Sequence, residues 1–205
     1  MYKNTVITIG RQYGSGGREI GKKLSELLGI GYYDDELIAL VAKNSGMSSE
    51  ALSDVDEKAT NSLLYTLAMG GTLFGGNAAL AYEMPINDKL YIAQSDVIKD
   101  LAKREACVII GRCADYVLKD CDNVLNLFIY ADLEKRTARV AQRRQITEAK
   151  AKDIIIKTDK QRANYYNYYT SRKWGRIENY DLCIDSGKLG VDKAAQLIAN
   201  YIKEL

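Results

Sequence analysis

Apolar positions along the chain fall into short runs and helical stripes that alternate. Residues 5–9, Thr-Val-Ile-Thr-Ile, form a β-branched run of buried-strand character, and Ile20, Leu24, Leu27 and Leu28 follow at helical spacing. A cluster of glycines lies between them, so the opening pattern is strand, glycine turn, helix. Gly29 is placed to cap that helix. Residues 30–33 give a second short strand, and Asp34 or Asp35 opens a helix carrying Leu37, Ile38, Leu40 and Val41.

From about Ser48 to Lys103 the pattern is helical, broken by a glycine loop and by Pro85, the only proline. Ser48 or Ser49 caps a helix through Leu52 and Val55. Leu63, Leu64, Leu67 and Ala68 continue a periodic face, and Leu90, Ile92, Val97, Ile98 and Leu101 mark a later helix. Residues 106–110 read as a third strand ended by Gly111-Arg112, and 124–130 as a fourth, followed by an Asp132-capped helix to about Arg144. A helix from Thr147 runs toward Tyr165, Tyr166, Tyr168 and Tyr169. Residues 182–184 make a fifth strand and 191–203 a closing amphipathic helix. Strands alternating with helices predict an α/β fold with a mostly parallel sheet and right-handed crossovers. The length suits one domain over residues 1–205, with a helical insertion at about 46–103 and a lid at about 145–175.

Composition removes several chemistries. Lys and Arg number 29 against 27 acids, so there is no global field for nucleic acid and any anion site must be local. With no histidine, Ser-His and Cys-His catalysis are excluded and proton transfer falls to carboxylates. Cys107, Cys113, Cys121 and Cys183 lack metal-ligand spacing and read as reduced thiols of a cytoplasmic protein. The first residues carry no basic-then-apolar leader, so no secretory signal is expected. The uncharged run at 59–82 is interrupted by Gly70, Gly71, Gly75 and Gly76. It reads as a buried helix and a mobile loop, with apolar pieces far shorter than the roughly 20 residues of a membrane span.

The glycine turn is the first candidate site, because side-chain-free residues let backbone N–H groups converge on an anion at a helix start. Measured against G-x-x-x-x-G-K-[ST], the register fitting the strand-to-helix junction puts Gln12 at the first glycine, Gly17 at the second, Arg18 at the lysine and Glu19 at the hydroxyl residue. A literal match to the first seven positions at Gly16–Lys22 would bury Gly21 and Lys22 inside the helix, a turn too late. The dinucleotide pattern G-x-G-x-x-G fails because Glu19 stands at its third glycine.

Asp34 and Asp35 sit at the C-terminal end of a strand, where open α/β sheets bind ligands, and they equally suit a helix cap. Arg136, Arg139 and Arg143 share a helix face, with Arg144 beside them and Lys157, Lys160 and Arg162 in the next helix; alone, such runs read as solvated faces. Arg112 differs. It follows a buried strand at the ligand edge of the sheet, where an arginine calls for an anionic partner.

Taken together, the stretches Thr8 to Gly21, Val108 to Leu118, Asp159 to Arg162 with Trp174-Gly175, and Tyr180 to Gly187 resemble the cytidylate kinase-like family of P-loop nucleoside monophosphate kinases over nearly the whole length. The resemblance implies a three-layer P-loop kinase fold with five parallel strands. It implies that Gly14, Ser15, Gly16 and Gly17 cradle the phosphates of ATP-Mg2+, with Arg18 at the lysine position and Glu19 beside it. Asp34 matches the acid before the monophosphate-binding helix, followed here by Asp35-Glu36 in place of Ser-Gly. Arg112 matches an acceptor-phosphate arginine, with Cys113 where the true enzyme has an aspartate. Arg162, with Asp159 and Lys160, falls in the lid region.

The implied activity is transfer of the ATP γ-phosphoryl group to a small acceptor, with Arg18, Arg112 and Arg162 catalytic and Asp34, Asp35, Arg112 and Asp159 on the acceptor. No dedicated protein metal site, nucleic acid or membrane is implied, and a homodimer is left open. The variant positions Gln12, Glu19 and Cys113 support the alternative of a nucleotide-binding module without kinase activity. A third reading, single-stranded RNA on Tyr165–Tyr169, is weaker because tyrosines at helical spacing usually pack.

Overall fold

The computed structural model describes residues 5–34, 37 and 86–204. The helix predicted from Asp34 or Asp35, apart from Leu37, lies outside the described residues, as do the Ser48 cap, the 59–82 run and most of the 46–103 insertion.

The described strands are β1 (Val6–Arg11), β2 (Gly31–Tyr33), β3 (Cys107–Ile110), β4 (Val124–Tyr130) and β5 (Leu182–Asp185). They form one sheet in the order β2-β3-β1-β4-β5, and every pairing is parallel. The described helices are α1 (Gly17–Leu28), α2 (Ile86–Arg104), α3 (Ala114–Val117), α4 (Leu133–Arg144), α5 (Glu148–Thr170), α6 (Ser186–Leu189) and α7 (Val191–Glu204), with a 3-10 turn at Ile177–Asn179.

Period-two alternation distributes the strand residues between two cores. Ile7, Ile9, Val108, Ile110, Leu125, Leu127 and Ile129 face α1 and α7, meeting Ile20, Leu24, Leu28, Ile198 and Ile202. Val6, Cys107 and Ile109 face the other way, onto Leu37, Ile98, Leu101 and Leu118. Helices on both faces of a parallel sheet make the three layers, and both faces being covered explains why the strands read as apolar runs. Leu27, placed by its spacing on the core stripe of α1, is 43% exposed; the buried row is Ile20, Leu24 and Leu28.

Close approach holds α1 on the sheet: a Cβ on Gly21 would lie 2.6 Å from Ile110 Cδ1. Gly21 and Lys22 are therefore interior helix residues, and α1 opens at Gly17 with Gly16 as its N-cap. Thr147 caps α5 as its sequence predicts, its hydroxyl accepting from Lys150 N. The region expected to be a lid is mostly this one 23-residue helix.

Candidate functional site

The turn between β1 and α1 lies at the C-terminal edge of the sheet, and its carbonyls are engaged by protein donors. Gln12 N donates to Ile129 O at 3.0 Å, and Ala131 N donates to Gln12 Oε1 at 3.2 Å, so the variant residue at the first glycine position ties the turn to β4. Ser15 N and Oγ donate to Gln12 O, Arg136 Nη1 to Tyr13 O at 3.2 Å, Arg139 Nη1 to Gly14 O at 3.1 Å and Ser186 Oγ to Ser15 O at 2.5 Å. With these carbonyls engaged, the opening amides of α1, which have no intrahelical partner, are the donors that remain at the turn. Gly14 and Gly16 have φ of 77° and 84°, and added Cβ atoms would meet Val140 Cγ2 and Arg139 Nη1, each at 2.8 Å.

Arg136 and Arg139 therefore do not belong to a solvated face, as their run alone suggests. Arg136 is buried. Its Nε donates to Ala131 O at 2.9 Å, and its Nη1 donates to Asp159 Oδ2 at 2.6 Å. Asp159 Oδ1 accepts from Tyr13 N at 2.7 Å. This carboxylate, expected on the acceptor, instead fastens α5 to the phosphate-loop turn, because both oxygens are engaged by the turn and by α4.

Arg18, expected over the donor phosphates, makes an ion pair with Asp34. Its Nε lies 2.5 Å from Asp34 Oδ2, which carries the guanidinium from the start of α1 to the end of β2, while Asp34 itself is buried. Glu19 turns toward Arg143 at 3.6 Å, both half-exposed, a weak contact in water.

On the other side of β1 the chain leaves β3 through three consecutive left-handed residues, Gly111, Arg112 and Cys113, with φ of 73°, 58° and 55°. For Arg112 and Cys113 this costs on the order of 1 kcal/mol each. Ala114 N closes the turn on Gly111 O at 3.0 Å. The conformation directs Arg112 into a cavity of about 130 Å3, whose wall also includes Arg11, Arg162, Asp115, Tyr165 and Tyr166. Arg162 Nη1 donates to Arg11 O at 3.1 Å. Burial, followed by the charge of Arg162, pulls the Arg11 guanidinium down from its ordinary 12.5 to about 9, and burial lowers Arg112 as well. Asp115 is pushed up by burial and accepts from Tyr166 Oη at 2.6 Å; burial likewise pushes the Cys113 thiol up.

The tyrosine run of α5 is used mainly in packing. Tyr165 Oη donates to Gln94 Oε1 at 3.3 Å and Tyr169 Oη to Asp88 Oδ1 at 3.0 Å, and the Tyr169 ring stacks on Tyr91 with centroids 4.1 Å apart. These contacts hold α5 against α2. Tyr13 is surrounded by the guanidinium groups of Arg143, Arg144 and Arg162, each within 6 Å of its ring centre.

Of the predicted acceptor and lid residues, Arg112 and Arg162 share the cavity, Asp34 lies close enough to Arg112 and Arg11 to act on both charges, and Asp35 lies outside the described residues. Arg11 was not among the predicted site residues. Its signal was present: β1 ends in Ile-Gly-Arg and β3 ends at the Ile of another Ile-Gly-Arg, and Ile9 faces Ile110 in the ladder. Among the described residues no group of three or more carboxylates or thiols is set to hold a metal ion, and no helix is long and apolar enough to cross a membrane.

Comparison with known proteins agrees with the fold. The model of the cytidylate kinase-like family matches residues 6–188. A cytidylate kinase of Methanopyrus kandleri is 25% identical over 203 residues, covering 98% of this chain and 95% of that protein. A uronate isomerase of Corynebacterium glutamicum is 28% identical over 144 residues, 70% of this chain, which spans only 27% of that protein. Among solved structures, an uncharacterized protein from Eubacterium ventriosum is 30% identical with a TM-score of 0.71, covering 98% of this chain and 99% of that one. Shikimate kinase from Bacteroides thetaiotaomicron shares the fold at 12% identity and a TM-score of 0.56, covering 97% of this chain and 98% of that one.

Proposed function

This chain belongs to the cytidylate kinase-like family, and we propose that it is an ATP-dependent phosphotransferase acting on a small anionic acceptor, with a nucleoside monophosphate as the leading class. The observation that carries the reading is the pairing of two anion sites across β1: the amide-lined turn at the start of α1, and the arginine-walled cavity beyond β3. Phosphoryl transfer asks the protein for position and positive charge rather than a covalent intermediate, and a chain without histidine suits that division.

In this proposal Gly14, Ser15, Gly16 and Gly17 receive the ATP phosphates, Arg112 holds the acceptor, and Arg162 reaches from α5 to the charge that builds between them. Mg2+ enters with ATP as part of the substrate. Such an ion takes one or two carboxylates alongside phosphate oxygens and water, which fits a site where Glu19 replaces the usual hydroxyl. Arg18 acts through Asp34, on the acceptor side, and not on the donor phosphates.

A screen of CMP, dCMP, UMP, AMP and small hydroxylated metabolites with ATP-Mg2+, followed by ADP release, tests the proposal. Turnover on one acceptor supports it and identifies the substrate. The second reading, a nucleotide-binding module without transfer activity, is favoured by the engagement of Arg18 and Glu19 away from the turn. ATP bound without turnover on any acceptor selects that reading instead.

A further inference from the structure

Building on the kinase reading, we infer that Tyr13 is a positioning residue of the donor side: its ring holds the guanidinium groups of Arg143, Arg144 and Arg162 beside the phosphate-loop turn, and the terminal phosphate of a bound nucleoside triphosphate depends on that placement. The residue is gripped from two helices. Tyr13 N donates to Asp159 Oδ1 of α5 at 2.7 Å, and Tyr13 O accepts from Arg136 Nη1 of α4 at 3.2 Å. Its side chain packs on Val140, Ala151 and Ile155, the small apolar cluster where α4 meets α5.

Three arginines from the same two helices converge on that ring. Arg143 and Arg144 lie in the last turn of α4 and Arg162 within α5, with guanidinium carbons 5.9, 5.6 and 5.4 Å from the ring centre. Two of them also touch the borders of the turn. Arg143 reaches Glu19 in the first turn of α1 at 3.6 Å, and Arg162 Nη1 donates to Arg11 O at the end of β1 at 3.1 Å. The ring contact adds to these and to any other partner, so it acts on where the guanidinium groups sit and not on how they are neutralised. Arginine side chains have many rotamers to lose, and a fixed aromatic face selects among them. The pattern G-x-x-x-x-G-K-[ST] asks for no aromatic residue after its first position, where Tyr13 stands, so the ring belongs to this chain and not to the loop type.

Calorimetric titration of the full chain with the β,γ-imido analogue of ATP and with ADP, each with Mg2+, tests this. In the kinase reading Arg162 meets the transferring phosphoryl group, so Tyr13→Leu should weaken the analogue by about tenfold, the size of one such contact, and ADP by less than about threefold. Tyr13→Phe keeps the ring and should bind both within about twofold of the parent. Both variants keep the apolar packing and should melt within about 3 °C of the parent without ligand. In ligand-free NMR spectra, arginine Nε–H signals displaced by the ring should move in Tyr13→Leu and stay in place in Tyr13→Phe. Unchanged binding of the analogue in Tyr13→Leu overturns the inference, as do equal losses of analogue and ADP, or a Tyr13→Phe chain that behaves like Tyr13→Leu. Binding of neither nucleotide by the parent overturns the kinase reading instead. The hold of the ring on the arginines is then decided by the ligand-free spectra, and signals unmoved in Tyr13→Leu overturn it.

Discussion

Arg18 Nε and Asp34 Oδ2 meet at 2.5 Å, joining the first turn of α1 to the end of the edge strand β2. In the proposed reading the contact crosses from the turn that takes the ATP phosphates to the acceptor side, and Arg18 orients Asp34 rather than holding ATP. Arg18→Ala should raise the acceptor KM about tenfold or more while moving the ATP Kd by less than about threefold. Because Arg18 is half-exposed and Asp34 keeps Arg11 and Arg112 nearby, ligand-free stability should change little. Steady-state kinetics with each substrate varied in turn separates the two. A selective loss of ATP affinity would return Arg18 to the donor phosphates.

Asp159 distinguishes a structural carboxylate from one that contacts substrate. Its two oxygens accept from Tyr13 N and Arg136, whose side chain is 8% exposed. Asp159→Asn replaces an ionised partner by a neutral one and leaves the buried guanidinium undercompensated, at a cost of roughly 3 kcal/mol. At about 2–4 °C per kcal/mol for a chain of this size, the melting temperature should fall by roughly 6–12 °C without any ligand. A substrate-contacting residue would instead leave the ligand-free melt in place and change only the acceptor KM.

Asp115 gives a pH signature. Burial raises its pKa above the ordinary 3.8, so the folded state holds this proton more tightly than the unfolded chain does. The stabilisation from that proton is present below 3.8 and disappears as pH rises through the folded pKa. Asp115→Asn retains an oxygen for the Tyr166 hydroxyl and removes the charge that desolvation penalises. Relative to the parent, the variant should therefore gain stability between pH 4 and pH 7, read from urea midpoints at both values. A constant difference across that range would mean the carboxyl is not desolvated.

The strand pattern and the position of α1 were legible because buried parallel strands are apolar runs and the glycine turn has few alternatives. Leu27 was misplaced because spacing alone does not separate a core row from its neighbour when both are leucine. Of the arginines that line the candidate cavity, Arg112 was singled out by its place after a buried strand and Arg162 only by the family resemblance, while Arg11 was not singled out, although its Ile-Gly-Arg repeats that of Arg112. Strand order is the missing knowledge: the repeat acquires meaning only once β1 and β3 are neighbours in register. The roles of Asp159 and Arg136 were hidden for a related reason, since their partners lie 146 and 123 residues away along the chain.

Gly111 provides the most direct structural test of the arginine-walled cavity. Its φ of 73° would strain any L side chain by roughly 1 kcal/mol, and a Cβ there would fall 1.9 Å from Arg11 Nη1. The strain is a stability effect and the collision is a site effect, and the two separate experimentally. Gly111→Ala must push the Arg11 guanidinium off its position, so acceptor kcat/KM should fall by about tenfold or more. The amide turn on the far side of β1 is untouched, so ATP affinity should hold within about twofold. In an Arg11→Gln background the same substitution should cost its strain again but lower acceptor kcat/KM little further, because the group it displaces has already gone. A full additional loss in that background would show that Gly111 acts on the site by a route other than Arg11.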